Sequence, residues 1–407
     1  MCFWHFAEEQ RVEVRLFFIF LNILLGFYFM QKKSKKFLIG EGKISGALSI
    51  FFSLISLGAV ACFLFPEYLT TQEFRINYPL EVFRWLVFAC LIFSFIFALL
   101  SLLLSKSIKM AALGMFISAL AVLLGGSGIE IKEFEQSLFS ISLDWMLLEI
   151  FVFSIVFIPI ELFLPKRPEQ TKFHPEWKTD LVYLFKAQLL IQYTAVAVKQ
   201  PAELFFGGVG TEVLQSSVSN LPFMLQLFLA MFVADFCQYW IHRLFHGNSF
   251  LWRFHSVHHS IKYVDWISGS RLHLVDVFIT RSISYIPLYI LGFANDVFYV
   301  YVVFVSVQAV MAHANTNISF GVLKYCLVTP QYHHWHHSKD SKTHDKNFAI
   351  HFPFIDRLFG TYYLPENEWP NEMGLTNESF PSGYFRQFIY PFLHDPKTAE
   401  PKNPSTR

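Results

Sequence analysis

Ten of the eleven histidines between Trp240 and Ser338 fall into a pattern: His242-x3-His246, His255-x2-His258-His259, single His273 and His313, and His333-x2-His336-His337. Neutral imidazole binds zinc, iron, copper or nickel through either ring nitrogen. On a helix, residues three and four apart are neighbours, so each grouping offers two or three ligands from one short element. One ion takes about four to six ligands; ten histidines therefore imply two ions. One His-x3-His pair alone reads as an interfacial pair bonded to water or lipid phosphate. Three groupings together read as a metal cluster, because imidazoles gathered without metal leave buried donors and acceptors unsatisfied, at roughly 1–3 kcal/mol each. His273 and His313 stand singly and either ligate too or donate from behind the ligands. His334, His344 and His351 fall off the repeat and read as non-ligands; His5 and His174 carry no signal.

Carboxylates beside such ligands have an outer role, since an acid that accepts the second ring N–H fixes the tautomer and raises the basicity of the imidazole. Asp235, Asp265, Asp276, Asp345 and Asp356 all lie in or beside the groupings. Asp235 is the leading candidate, because a carboxylate one turn inside a membrane helix is costly without a purpose; Asp345 is placed with it. No catalytic group is expected beyond the metal ligands. The cysteines are five, scattered, without a C-x-x-C pair, and suggest neither a disulfide framework nor a thiolate site.

The elements that must position these residues are membrane helices. Hydrophobic residues make up 54% of the 407, charged residues 15%, and Phe alone numbers 49; the mean hydropathy is +0.40. That is too apolar for an ordinary soluble domain, and a net charge of +1 gives no argument for nucleic acid. A hydrocarbon core of about 30 Å needs roughly 20 apolar residues per helix. Runs at 14–31, 45–65, 84–105, 110–127, 143–164, 181–198 and 221–241 qualify, the sixth interrupted by Lys186, Gln188 and Gln192. The stretch from Ile283 to Ala312 breaks at Gly292 to Asp296 and reads as a hairpin or re-entrant pair. The first run, preceded by Glu8, Glu9 and Glu13, reads as a retained membrane helix and not as a signal peptide.

Lysines and arginines orient the spans. Lys32, Lys33, Lys35, Lys36 and Lys43, then Lys106 and Lys109, then Lys166, Arg167, Lys172 and Lys178 mark three loops as cytoplasmic, and the alternate loops are acidic. Counting onward, the seventh span ends at Ile241 on the cytoplasmic side, and all ten histidines share that face. Asp235, Tyr239, His242 and His246 form one stripe along that span.

The strings around the histidines carry a resemblance. Asp235-Phe-Cys-Gln-Tyr-Trp-Ile-His-Arg-Leu-Phe-His246, Trp252-Arg-Phe-His-Ser-Val-His-His-Ser260, His313-Ala-Asn315, Pro330-Gln-Tyr-His-His-Trp-His-His-Ser338 and Asp356-Arg-Leu-Phe-Gly-Thr361 resemble the fatty acid hydroxylase/sterol desaturase superfamily. The likeness covers roughly residues 145 to 395, nearest to the bacterial branch of sterol desaturase family proteins, and extends more loosely to alkylglycerol monooxygenase. Two positions depart from the family pattern: Ala349 in Asp345-Lys-Asn-Phe-Ala349, where glycine is usual, and Leu274 after His273, where proline is usual. Neither touches a ligand in the three groupings.

The resemblance implies an all-α, polytopic membrane bundle with a histidine-rich di-metal site on its cytoplasmic side. It implies a non-haem di-iron oxygenase, with two Fe ions (Zn as a substitute in isolated protein), that uses O2 to hydroxylate or desaturate a lipid C–H bond. His242, His246, His255, His258, His259, His333, His336 and His337 would be ligands, with His313 a further one and His273 in a matching Arg-x-His context. Residues 1–135 would be helices outside the catalytic core, 136–395 the membrane catalytic domain, and 396–407 a disordered tail. The sequence has no dinucleotide, flavin or haem-attachment motif, so an external donor is expected: a reductase, a ferredoxin or a cytochrome. The membrane would be the bacterial inner membrane or the endoplasmic reticulum. An ether-lipid monooxygenase dependent on reduced pterin, a metal transporter and a non-catalytic lipid-binding protein are the alternatives.

Overall fold

Long apolar runs fold as helices in a bilayer because only an internally hydrogen-bonded backbone survives there. A computed structural model describes residues 42–70, 75, 79–104, 108–130, 137, 140–189, 204, 212–376 and 380–393. Helices dominate, and no strand occurs among these residues apart from a single bridge between Ser338 and Met373. Helices α1 (Lys43–Leu64), α2 (Leu80–Leu104), α3 (Ile108–Leu123) and α4 (Leu143–Phe163) are followed by α5 (Trp177–Leu189), α6 (Glu212–Ser219) and α7 (Phe223–Gly247). Then come α8 (Ser249–His259), α9 (Leu274–Leu291), α10 (Asn295–His313), α11 (Pro330–His336), α12 (Pro353–Leu358) and α13 (Tyr384–Leu393). Seven of them, α1 to α4, α7, α9 and α10, are long and apolar enough to cross a membrane, and the protein is an integral, multi-pass membrane protein. The expected first span and the expected C-terminal tail lie outside the described residues.

The chain divides into two compact units between Val152 and Phe153, inside α4. In the first unit, small residues let α1, α2 and α3 approach closely, as membrane helices do without a hydrophobic drive between them. A Cβ on Gly114 would fall 2.1 Å from the Ser49 hydroxyl. Ser118 Oγ donates to Ser94 Oγ at 2.7 Å, and Ser94 Oγ to the Ser49 carbonyl at 3.0 Å. Phe52 stacks on Phe97 with ring centres 5.7 Å apart.

In the second unit α7 packs against α8, α9 and α10 around a core that includes Ala234, Tyr239, Leu288, Val297 and Tyr301. The expected short hairpin becomes two full-length helices. The helix begins nine residues earlier than Ile283 suggests, because Val275, Val277, Phe278 and Ile279 continue it past Asp276 and Arg281. Gly292, at φ 75°, closes α9 in the left-handed region where a side chain is strained. The sixth run is likewise redrawn: α5 starts at Trp177 and is described only to Leu189. Asp180 of α5 meets Arg271, just before α9 begins, while Gln215 of α6 donates to the Ile290 carbonyl at its other end.

Two buried acids fasten the polar segments to this bundle. The Asp235 carboxylate accepts the backbone N–H groups of Ile350, His351 and Phe352 at 2.8, 3.1 and 2.6 Å. Asp356 accepts those of Phe348 and Ala349, plus the Thr361 and Tyr332 hydroxyls. Together they hold residues 348–352 across the end of α7. Ala349, where the family favours glycine, fits here fully buried.

Candidate metal centre

Three helices deliver the histidines in i, i+4 pairs. α7 carries His242 and His246 on its last turns, α8 carries His255 and His259, and α11 carries His333 with His337 just beyond its end. Asn248 caps α8 by accepting from Phe250 and Leu251, and Thr329 caps α11 ahead of Pro330; both are the residue types that hold a helix start in place.

Nine histidines converge in two groups. One contains His242, His246, His255, His259 and His336; the other contains His258, His313, His333 and His337. Within each group the ligand nitrogens all lie within 4.8 Å of one another. The triplets are thus shared: in each, the i, i+4 pair serves one group and the remaining histidine the other. The groups are adjacent, with the His259 and His337 rings stacked at 4.7 Å. No carboxylate or cysteine joins either group among the described residues.

The hydrogen bonds of the outer ring nitrogens decide what the inner ones can do. His242 Nδ1 donates to the Phe348 carbonyl at 2.7 Å, and His255 Nδ1 to the Asp276 carboxylate at 2.7 Å. Both Nε2 atoms must then be bare lone pairs, and they face each other at 3.0 Å. Two lone pairs cannot bond to one another; a cation between them can satisfy both. In the second group His258 Nδ1 donates to the Arg271 carbonyl and His313 Nδ1 to that of Ala309. Their bare Nε2 atoms face those of His337 and His333 at 3.1 and 3.0 Å. Nε2 of His246, His259 and His336 and Nδ1 of His337 are buried with no hydrogen-bond partner. Native structures rarely leave such groups unpaired. The residues fit two metal ions.

Burial also keeps the rings neutral. Desolvation first, and neighbouring histidines second, hold His258, His259, His333 and His337 well below the usual imidazole range, and burial pushes His336 down to about 3. An unprotonated nitrogen at neutral pH is what a metal needs.

Three sequence expectations are corrected. His273 lies outside both groups: its Nε2 donates to the Phe388 carbonyl and its Nδ1 accepts from Val275, so it is the N-cap of α9. Asp235 touches no ligand ring and serves the backbone of residues 350–352 instead. The carboxylate behind a ligand is Asp276, in the first turn of α9, a residue noted among five acids without being singled out. Asp345 is 3.6 Å from His246 Nδ1. His334 lies against Arg167 and His351 against Gln308.

Sequence reasoning missed a buried charge network behind His258. Arg271, 1% exposed, donates to Asp180 at 2.5 Å and Glu176 at 2.8 Å, which fixes the segment whose carbonyl receives the His258 proton. Burial raises the Asp180 carboxyl to about 6 against the opposing pull of Arg271. His174 stands in the same network, 3.2 Å from Asp265. The partners lie some ninety residues from Arg271 in sequence, and no local spacing signals them.

A cavity of about 240 Å³ opens from the histidines between the spans, lined by His242, His255, His258, His313 and His333 at one end.

Residues 227–361 match the Fatty acid hydroxylase family. The chain is 32% identical over 171 residues to the ornithine lipid hydroxylase OlsE of Rhizobium tropici, covering 42% of this chain and 51% of that one. It is 33% identical over 168 residues to the alkylglycerol monooxygenase of Danio rerio, 41% of this chain and 36% of that one. This part of the chain therefore resembles the fatty acid hydroxylase/sterol desaturase superfamily. Methylsterol monooxygenase 1-2 of Arabidopsis thaliana, 22% identical over 196 residues, is a more distant relative, with 47% of this chain and 65% of that one aligned. The chain thus spans about half the length of the first relative and about a third of the second. No solved structure matches. All nine converging histidines fall inside the stretch that matches the family.

Proposed function

We propose that this protein is a superfamily member and a membrane-bound di-iron oxygenase that uses O2 to hydroxylate, or alternatively desaturate, a C–H bond of a lipid. The observation that carries it is the pair of adjacent all-histidine groups, with lone pairs facing inward, at the end of a cavity between membrane spans. His242, His246, His255, His259 and His336 would hold one iron and His258, His313, His333 and His337 the other. Bound iron would supply the oxygen activation that no side chain here can provide. Neither set fills a six-coordinate ion.

The protein's own part is to hold these nitrogens deprotonated, to fix their tautomers through Asp276 and four backbone carbonyls, and to keep water out by burial. In hydroxylation one oxygen atom enters the C–H bond and the other leaves as water, with two electrons and two protons from outside. In desaturation two hydrogens leave the lipid and both oxygen atoms become water. The electrons would come from a docked reductase, ferredoxin or cytochrome, or from a reduced pterin in the ether-lipid reading.

The donor would dock from the cytoplasm. Leu164 accepts from the Asn317 N–H at 2.8 Å, and the Arg167 N–H donates to Asn315 at 2.8 Å. The loop with Lys166, Arg167, Lys172 and Lys178 therefore sits at the histidine end of the second unit, and the positive-inside rule assigns that loop to the cytoplasm without any counting of spans. Clustering at one end also argues against a metal transporter, whose ligands would be spread through the membrane depth.

The test is iron content and comparative lipid mass spectrometry of cells carrying the intact protein or the His258→Ala variant. About two irons per chain, and a lipid gaining one oxygen or losing two hydrogens only with the intact protein, is the expected result. Identical lipids in both cells would overturn the reading; oxidation strictly dependent on reduced pterin would move it to the ether-lipid branch.

A further inference from the structure

Beyond its histidines, the cavity between the spans carries hydrogen-bonding side chains that a plain hydrocarbon does not need. Gln188 of α5 lines it, is 6% exposed, and has no hydrogen-bond partner among the described residues. Gln238 lines it from α7, four residues before His242 and hence about one helical turn, roughly 5 Å, to the membrane side of that ligand. Its amide pairs with the Ser284 hydroxyl at 2.7 Å through Oε1, and its Nε2 has no hydrogen-bond partner among the described residues. Farther from the histidines, Val302 and Val305 make the wall apolar.

A carboxamide buried in a cavity costs free energy unless something there bonds to it. Ligand pockets use a few such groups in apolar walls to fix orientation. Two amides lining the cavity, one of them a turn from a metal ligand, in a wall that is otherwise mainly apolar, match a molecule that is polar close to the metals and apolar farther away. We propose that the cavity selects a lipid with an oxygen-bearing group, such as a hydroxyl or an amide, held by Gln188 and Gln238. The oxidised carbon is then close to that group and not in the middle of a methylene chain. This rests on the oxygenase reading above and names its substrate class.

The test uses full-length, iron-loaded protein in lipid nanodiscs and three chain-matched tritiated probes: 1-hexadecanol, N-hexadecylacetamide and hexadecane. Equilibrium binding and oxygen incorporation are both read. The two polar probes should bind about tenfold or more tighter than hexadecane. Gln188→Met, which keeps volume, should remove about tenfold of the N-hexadecylacetamide affinity, the scale of one hydrogen bond, and leave hexadecane binding and iron content unchanged. Gln238→Met should act in the same direction. Equal binding of all three probes, or a Gln188→Met loss shared by hexadecane, overturns the inference whether or not turnover occurs. Selective binding of the polar probes with no oxygen incorporated into any probe strikes the oxygenase reading and leaves the polar site standing.

Discussion

Where α1, α2 and α3 meet in the unit ending at Val152, buried polarity is short and self-satisfied: Ser118, Ser94 and Ser49 bond to one another, and nearby Arg84 donates to the carbonyls of Ser127 and Ile129. In the unit beginning at Phe153 it is larger and pointed inward. His246, His259, His336 and His337 bury nitrogens with no partner, and Gln188 turns an amide to a cavity. Both units are helical and both are apolar. Polarity alone therefore does not mark a working site in a membrane protein. Polarity whose bonding capacity is left over does, because the cost of burying it is recovered only when something else binds.

Acid should separate the units most strongly. His258, His259, His333, His336 and His337 all have folded values below the unfolded value of about 6.5. Above about 6.5 they are neutral in both states and contribute no pH dependence. As pH falls below it, the unfolded chain takes up protons that the folded chain refuses, so stability is lost progressively down to the folded values. The melting temperature of metal-free protein should fall steeply from pH 7 to pH 5, and bound metal should flatten the curve. A metal-free melting temperature that does not move over that range would contradict the burial of these rings.

Ligand removal is the next largest effect. His337 contacts both His258 and His333 through Nε2, so His337→Ala should lower metal content from about two ions per chain toward one and cut lipid oxidation by on the order of a hundredfold or more. Full metal content in that variant would place His337 outside the centre. Asp276→Asn should cost about 10- to 100-fold in metal affinity, the range seen when the carboxylate behind a ligating imidazole is lost. Asp235 provides the contrast, being equally buried but bonded only to backbone N–H groups. Asp235→Ala should lower stability by on the order of 3 kcal/mol, with metal affinity per folded molecule unchanged. Chemical denaturation and metal titration, run on both variants, read the two effects separately.

These acids show where a sequence stops being legible. His242, His246, His255, His258, His259, His333, His336 and His337 could be read because helical spacing is local: i and i+4 are neighbours wherever the helix goes. The division of each triplet between two groups could not, since it depends on which helix faces which. His273 was misread because a helix N-cap also wants a side-chain acceptor, and a histidine just before an apolar run satisfies that need as well as it satisfies a metal. Asp235 was chosen over Asp276 on membrane cost alone. That cost is real, but three backbone N–H groups meet it. The start of α9 was placed late because Asp276 and Arg281 interrupt its apolar run, whereas both line the cavity. The triad Asp180, Glu176 and Arg271 had no signal, because only tertiary packing brings these residues together.

The smallest effect tests the other half of the comparison. If hydroxyls in the first unit serve only helix packing, Ser94→Ala should cost about 0.6 kcal/mol, the average for hydrogen bonds between membrane helices. Ser94 receives the Ser118 hydroxyl and gives its own to Ser49, all fully buried, so the loss is confined to neighbours that can bond again within their own helices. Thermal unfolding should shift slightly, while metal content and lipid oxidation stay at the level of the intact chain. A Ser94→Ala protein that folds normally but loses lipid oxidation would mean that these hydroxyls do more than join helices. Satisfied polarity would then no longer distinguish packing from function.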